Sequence, residues 1–325
     1  MIDYMVLSIN TTMPFILLAL LGIWVKRRGM IGDVFVTQGN KIIFYFGIPT
    51  TIFNHIHRAD LSTVFDVRFL VFNSVWLIVF FLGTWLLAYK FMKDKDSVPS
   101  FVNSTYRSSL SVVAPPLLVL MFYAGHHPGI DPNILPKGIL AISVLLIISY
   151  ASAAIMFAVY DESARKSGAV GILVTIAKNP VVIGVVIGLI FNVMGWHPLP
   201  AFAGNTVGSL AGIVMPLAMI CVGANLTFHG FDIKFKYVVI SVVVKLLLMP
   251  IASVIVAYLF GFRGSDLTII MILNALPMAV GAYVMQAELT GESYIGASVL
   301  MLTMTISAFT LTMFIFVFRV LGFLV

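Results

Sequence analysis

The sequence predicts an all-α integral membrane protein of ten transmembrane helices, arranged as two inverted five-helix repeats with interrupted helices in the fourth and ninth places. Three observations predict it. Of the 325 residues, 61% are hydrophobic and only 10% are charged, whereas a soluble domain carries about 25% charged residues. Ten apolar stretches approach or exceed the roughly 20 residues that cross the hydrocarbon core. Prolines stand in the middle of two of them, where a missing backbone donor and a clash with the preceding turn interrupt a helix.

The stretches run at about 5–25, 38–56, 68–90, 104–124, 138–159, 172–194, 205–227, 237–260, 267–287 and 294–320. They leave no room for a sizeable soluble domain. The first is not expected to be a cleaved signal, because it has no basic lead-in and Lys26-Arg27-Arg28 follows it. The expected division is 1–160 for the first repeat, 161–167 for a cytoplasmic linker and 168–325 for the second repeat.

Proline spacing carries the repeat. Pro14 and Pro180 are 166 residues apart, Pro49 and Pro216 are 167 apart, and Pro115 and Pro277 are 162 apart. Asn10 precedes Pro14 and Asn179 precedes Pro180, both at span starts. Five spans per half force the halves to enter the bilayer in opposite senses, as in inverted-topology transporters.

Charge gives the orientation. Thirteen of the 19 Lys and Arg residues lie in the loops and helix ends after spans 1, 3, 5 and 7, five lie on the opposite side, and Lys245 is inside span 8. Basic residues favour the cytoplasmic side. Both termini are therefore expected outside, in a plasma (inner) membrane protein. The net charge of +6 is accounted for by these loops and calls for no nucleic-acid partner. Cys221, the single cysteine, reads as a packing residue.

The two interrupted spans carry the candidate chemistry. A broken helix exposes free N–H groups and a positive dipole end inside the protein, and both favour an anion. The segments are Val112-Val113-Ala114-Pro115-Pro116-Leu117 and Asn274-Ala275-Leu276-Pro277-Met278-Ala279. Beside the breaks stand Ser109, Ser111 and Asn274. Asn274 could meet substrate or only cap the groups freed by the break. Lys245 could attract a carboxylate or neutralise the negative ends of the half-helices. Arg107 reads first as an interfacial anchor or cap and second as a ligand. The neighbouring Leu117, Leu118, Leu276, Met278 and Val280 could favour an apolar acid or serve as packing.

All 13 Asp and Glu residues fall in loops or near span ends. Proton- and sodium-coupled carriers commonly use a buried acid, so the expected driving force is the membrane potential and the anion's own gradient. His55, His57, His126 and His127 fall on the predicted outer side and read as loop residues before metal ligands. No metal and no cofactor is expected. An intramembrane enzyme lacks support, since there is no His-Glu-x-x-His motif and no mid-span acid pair. A receptor or structural protein would not need two interrupted spans, and a channel would use a filter or a continuous pore.

The order and spacing of the motifs add a resemblance. Phe44-Tyr45-Phe46-Gly47-Ile48-Pro49, Tyr106-Arg107-Ser108-Ser109 running to Ala114-Pro115-Pro116-Leu117, and Lys178-Asn179-Pro180 come first. Pro216-Leu217-Ala218 with Gly223-Ala224-Asn225-Leu226, Lys245 with Pro250, and Ala275-Leu276-Pro277 with Ala282-Tyr283 follow. Over nearly the whole chain this series resembles the auxin efflux carrier family, which includes plant auxin exporters and bacterial permeases for malate and malonate. The resemblance implies a fold like that of sodium/proton antiporters and bile-acid symporters, with spans 4 and 9 crossing near the midplane. It implies a scaffold of spans 1, 2, 6 and 7 that also forms a homodimer, a moving domain of spans 3–5 and 8–10, and elevator-type transport of a small organic anion. A sodium-coupled bile-acid-type symporter of the same fold is the alternative. The implied substrate residues are Ser109, Ser111, Ala114, Pro115, Pro116, Asn274 and Pro277, supported by Lys245 and Arg107, with Asn54 and Asn225 on the scaffold side. Ser109 stands where the family usually has asparagine, and Ser108 and Ala114 stand where glycine is common.

Overall fold

The structure, a computed structural model, describes residues 2–57, 66–110, 113–119, 134–161, 170, 174, 177–196, 198–225, 233–291 and 294–320. All named elements among them are helical. The first half holds α1 (Ile2–Arg27), α2 (Asp33–Ile42), α3 (Ile48–Ile56), α4 (Val67–Phe91), α5 (Val98–Tyr106), α6 (Ala114–Val119) and α7 (Ile134–Tyr160). The second holds α8 (Pro180–Val193), α9 (Ala201–Asn225), α10 (Ile233–Val243), α11 (Met249–Leu259), α12 (Gly264–Ala275), α13 (Val280–Thr290) and α14 (Tyr294–Val320). Each of the ten apolar stretches therefore contains helix. Among the described residues, four helices are long and apolar enough by themselves to cross a bilayer: Val67–Phe91, Lys137–Tyr160, Ala201–Ala224 and Lys234–Leu259.

Local chemistry sets the ends. Asp66 caps α4 by accepting a hydrogen bond from the Phe69 amide at 3.0 Å, and Asn179 does the same for Val181 at 3.0 Å, with Pro180 opening α8. These are preferred cap residues, and proline costs nothing where no amide partner exists. Gly291 closes α13 at φ 68°, a left-handed conformation that only glycine adopts freely.

Two helices widen into single π turns, Ile43–Gly47 between α2 and α3 and Val244–Leu248 between α10 and α11. A proline follows each by two residues, Pro49 and Pro250. Proline removes a donor and clashes with the carbonyl four residues back, and a π turn absorbs that mismatch without ending the helix. Pro216 lies inside α9 with no such turn. In local geometry Pro49 thus resembles Pro250 rather than Pro216, the partner its spacing suggested.

The helices pack across the two halves of the chain. α1 lies along α9, and α3 packs on α8 and α9. Gly22 and Gly223 let α1 and α9 meet backbone to backbone: a Cβ on Gly22 would lie 2.2 Å from the Ile220 carbonyl oxygen, and one on Gly223 would lie 1.9 Å from that of Ala19. α4 packs on α5 and α7, α11 on α12, and α14 on both α1 and α10. One hydrophobic core runs through these helices, from Ile48 and Ile52 to Leu300 and Met304.

Candidate functional site

The fourth and ninth stretches are both interrupted, and the interruptions meet. α5 ends at Tyr106 and α6 begins at Ala114; α12 ends at Ala275 and α13 begins at Val280. Between them the strands run antiparallel, with Ser108 opposite Met278 in an isolated β-bridge. The Ser109 amide donates to the Pro277 carbonyl at 2.9 Å, and the Ala279 amide donates to that of Arg107 at 3.2 Å. The Met278 amide donates to Thr303 Oγ1 on α14 at 3.1 Å. Unwound backbone in a hydrophobic interior must find partners within the protein, and the crossing supplies them reciprocally.

The first break starts earlier than the prolines suggest. Chain direction changes at Arg107, and Pro115 and Pro116 lie in the first turn of α6. There proline loses no hydrogen bond, because the first helical amides have no partner in the helix. Ser111 lies outside the described residues, as do the side chains of Pro115, Pro116 and Asn225.

The main correction concerns Arg107. Its expected interfacial position is not found: Arg107 is 1% exposed and sits at the crossing itself. Span 4 begins at Val98 rather than near 104, which moves Arg107 from the span's start to its middle. The guanidinium lies over the Tyr150 ring at 4.2 Å. Nε donates to Ser149 Oγ at 3.2 Å, and Nη1 approaches Met285 Sδ at 3.2 Å. Arg107 takes part in none of the ion pairs found among the described residues. A buried cation of this kind is costly unless something negative joins it.

Arg107 lines a cavity of about 50 Å³ with Ser108, Ser109, Ser149 and Tyr150. Its other wall is mostly apolar, formed by Ile48, Leu146, Val214, Met215 and Val280 with the Thr51 hydroxyl. The cavity lies where α3, α7 and α9 face the crossing. Gly281 makes room beside Tyr150: a Cβ there would lie 2.7 Å from the phenol oxygen.

The remaining candidates divide. Lys245, fully buried in its π turn, donates to Ser108 Oγ at 2.5 Å and to the carbonyl of Tyr106, the last residue of α5, at 3.4 Å. It does not line the cavity. Asn274 Nδ2 donates to the Ile270 carbonyl at 2.8 Å, and Oδ1 accepts from Trp76 Nε1 at 3.1 Å. Asn274 borders a small void of about 10 Å³ with Asn73 and Leu273, which shares Ser108 and Ser149 with the Arg107 cavity. Asn54 lies on α3 with a buried Oδ1 that has no partner and does not reach the cavity wall, which Thr51 forms. Leu117, Leu118, Leu276 and Met278 are buried packing residues; of the five apolar neighbours of the breaks, only Val280 faces the cavity. His57 is also buried, stacked on Phe53 with Nδ1 on the Phe53 carbonyl, while His126 and His127 lie outside the described residues. No group of three or more His, Cys, Asp or Glu that could hold a metal is found among the described residues.

Sequence reasoning missed Ser149 and Tyr150. The signal was present: Ser149-Tyr150-Ala151-Ser152 interrupts the apolar run of span 5 at the depth of the crossing.

A helical, apolar chain with two interrupted segments paired at its centre defines a membrane transport protein. Residues 7–315 match the family model described as "Membrane transport protein", so the chain belongs to that family, the auxin efflux carriers. It is 22% identical to "Uncharacterized transporter YfdV" of Escherichia coli (strain K12) over 302 residues, covering 90% of this chain and 93% of that one. It is 24% identical over 288 residues to an "Uncharacterized transporter" of Methanothermobacter thermautotrophicus, covering 86% and 88%.

Proposed function

We infer that this chain is a secondary carrier for small organic anions, which bind at the crossing of the fourth and ninth spans. One observation carries the reading: a fully buried arginine, without a carboxylate partner among the described residues, faces a cavity bounded by α3, α7, α9 and the crossing. The bound anion supplies the missing negative charge. The Ser109 hydroxyl and the Tyr150 phenol offer further donors, and the N-terminal end of α13 adds its dipole. Lys245 stabilises the negative C-terminal end of α5 and so holds Arg107 in place, a supporting role. Asn274 braces α12 against Trp76.

The mechanism that fits is alternating access of elevator type. The ten stretches cross the bilayer with both termini outside, and spans 1, 2, 6 and 7 form a dimeric scaffold. The crossing, carried with spans 3–5 and 8–10, slides past α3 and α9 and takes the anion with it. The membrane potential and the anion gradient drive the movement, because no acid lies in the cavity wall. Uptake of labelled short carboxylates into proteoliposomes tests this reading. Saturable flux that Arg107→Gln abolishes and Arg107→Lys partly restores is expected; equal flux in all three proteins refutes it.

A sodium-coupled carrier of the same fold is the second reading. It draws on Ser100 Oγ and Asn103 Oδ1, buried oxygens on one face of α5 without hydrogen-bond partners. Flux that ceases when choline replaces sodium would favour it.

A further inference from the structure

We propose that the site takes acids with a single carboxylate and a short apolar body, and rejects dicarboxylates. The proposal rests on the carrier reading above and narrows it. The charge count at the cavity comes first. Arg107 is the one cationic side chain among the described residues lining it. Lys245, the other buried cation nearby, is turned away onto Tyr106 and Ser108. One guanidinium matches one carboxylate in charge and in planar fork geometry.

The guanidinium is also fixed in direction. Stacking on Tyr150 covers one face of its plane, and Ser149 takes Nε. A carboxylate is therefore met edge-on, with its substituent directed away from Arg107. Away from Arg107 lies the wall of Ile48, Thr51, Val214, Met215 and Val280. Thr51 has the one hydroxyl among these side chains, and it donates to the Gly47 carbonyl at 2.9 Å, so a second carboxylate would be desolvated without a charged partner.

Size follows from volume. A cavity of about 50 Å³ holds roughly three to five water-sized groups, which suits a carboxylate with a very short alkyl chain and not an aromatic ring.

Propionate and malonate test the charge rule, because both have three carbons and differ by one carboxylate. Entrance counterflow of labelled propionate is measured in proteoliposomes of the full chain, with unlabelled propionate, malonate or phenylacetate as competitor. Malonate is expected to compete at least about 100-fold more weakly than propionate, the effect of one uncompensated charge. Phenylacetate is expected to be weak by size alone. The variant Met215→Lys keeps an unbranched side chain of similar length and places a cation in the apolar wall; it should gain malonate competition by at least about 10-fold. Malonate competing as well as propionate in the parent protein overturns the single-carboxylate rule and leaves the anion carrier standing. Counterflow with neither acid, and no thermal shift by either, removes the carrier reading and this proposal with it.

Discussion

Arg107 and Lys245 lie close together at the crossing, yet their surroundings assign them different work. Lys245 does not line the cavity and donates to Ser108 Oγ and the Tyr106 carbonyl, so its removal leaves both without that donor. Lys245→Met should therefore lower stability by about 1–3 kcal/mol, read as a fall in the thermal transition of the purified carrier. An unchanged transition with lost carboxylate binding would instead place Lys245 on the substrate. Arg107→Gln should do the reverse: weaken the thermal shift caused by propionate by at least about 10-fold in concentration. The sequence made the polar residues of the breaks visible, because polar atoms in apolar stretches stand out. It did not reveal that Arg107 is central, since a basic residue near a span end normally sits at the interface and only the true start of α5 shows otherwise. Nor could it separate Asn274 from Ser109. Both flank a break, but one bonds within its own helix while the other faces the cavity.

Elements show the same division between what periodicity and composition reveal and what packing decides. Helix was legible in all ten stretches. The π turns were not, because the prolines that cause them equally suggest kinks. Helix α9 presents a stripe of Gly204, Gly208 and Gly212, and a Cβ at Gly208 or Gly212 would meet nothing within 4 Å. Small residues four apart let two membrane helices approach closely, so this face suits the proposed dimer. Gly208→Leu should shift the detergent-solubilised protein from dimer towards monomer, measured by light scattering; an unchanged mass would exclude this face. At the predicted outer side, Lys137 at the start of α7 pairs with Asp66 at 2.7 Å and with Asp266 at 2.6 Å, tying α4, α7 and α12. Partial burial raises the Asp66 pKa, but the hydrogen bonds from Lys137 and the Phe69 amide outweigh it and leave it below its usual 3.8. A carboxyl whose pKa is lowered by folding adds stability above its unfolded pKa, and this is lost as pH falls through the folded value. The thermal transition should therefore fall more steeply below pH 3.8 in the parent protein than in Asp66→Asn; parallel curves would show that the tie contributes nothing.

At the scale of the whole molecule, the proposed anion site lies among α3, α7, α9 and the crossing, and the proposed elevator requires the crossing to move past α3 and α9. In the proposed elevator Lys41 on α2 belongs to the scaffold and Glu288 on α13 to the moving domain; α2 and α13 are in contact, and the Lys41 charge opposes the rise that burial imposes on the Glu288 carboxyl. Cysteines at both positions in a Cys221→Ala background, joined by a flexible bismaleimide, should stop flux while propionate still stabilises the protein. Flux that survives the cross-link would contradict an elevator. Which helices share a moving body is an expectation from resemblance alone, since no single residue reports it. The most direct measurement is a crystal structure with a bromine-labelled short carboxylate such as 3-bromopropionate, located by anomalous scattering. The account predicts interrupted spans paired at Ser108 and Met278, the carboxylate on Arg107 and the bromine against Val214 and Met215. A bromine bound elsewhere, or a fourth span running unbroken past Arg107, would contradict it.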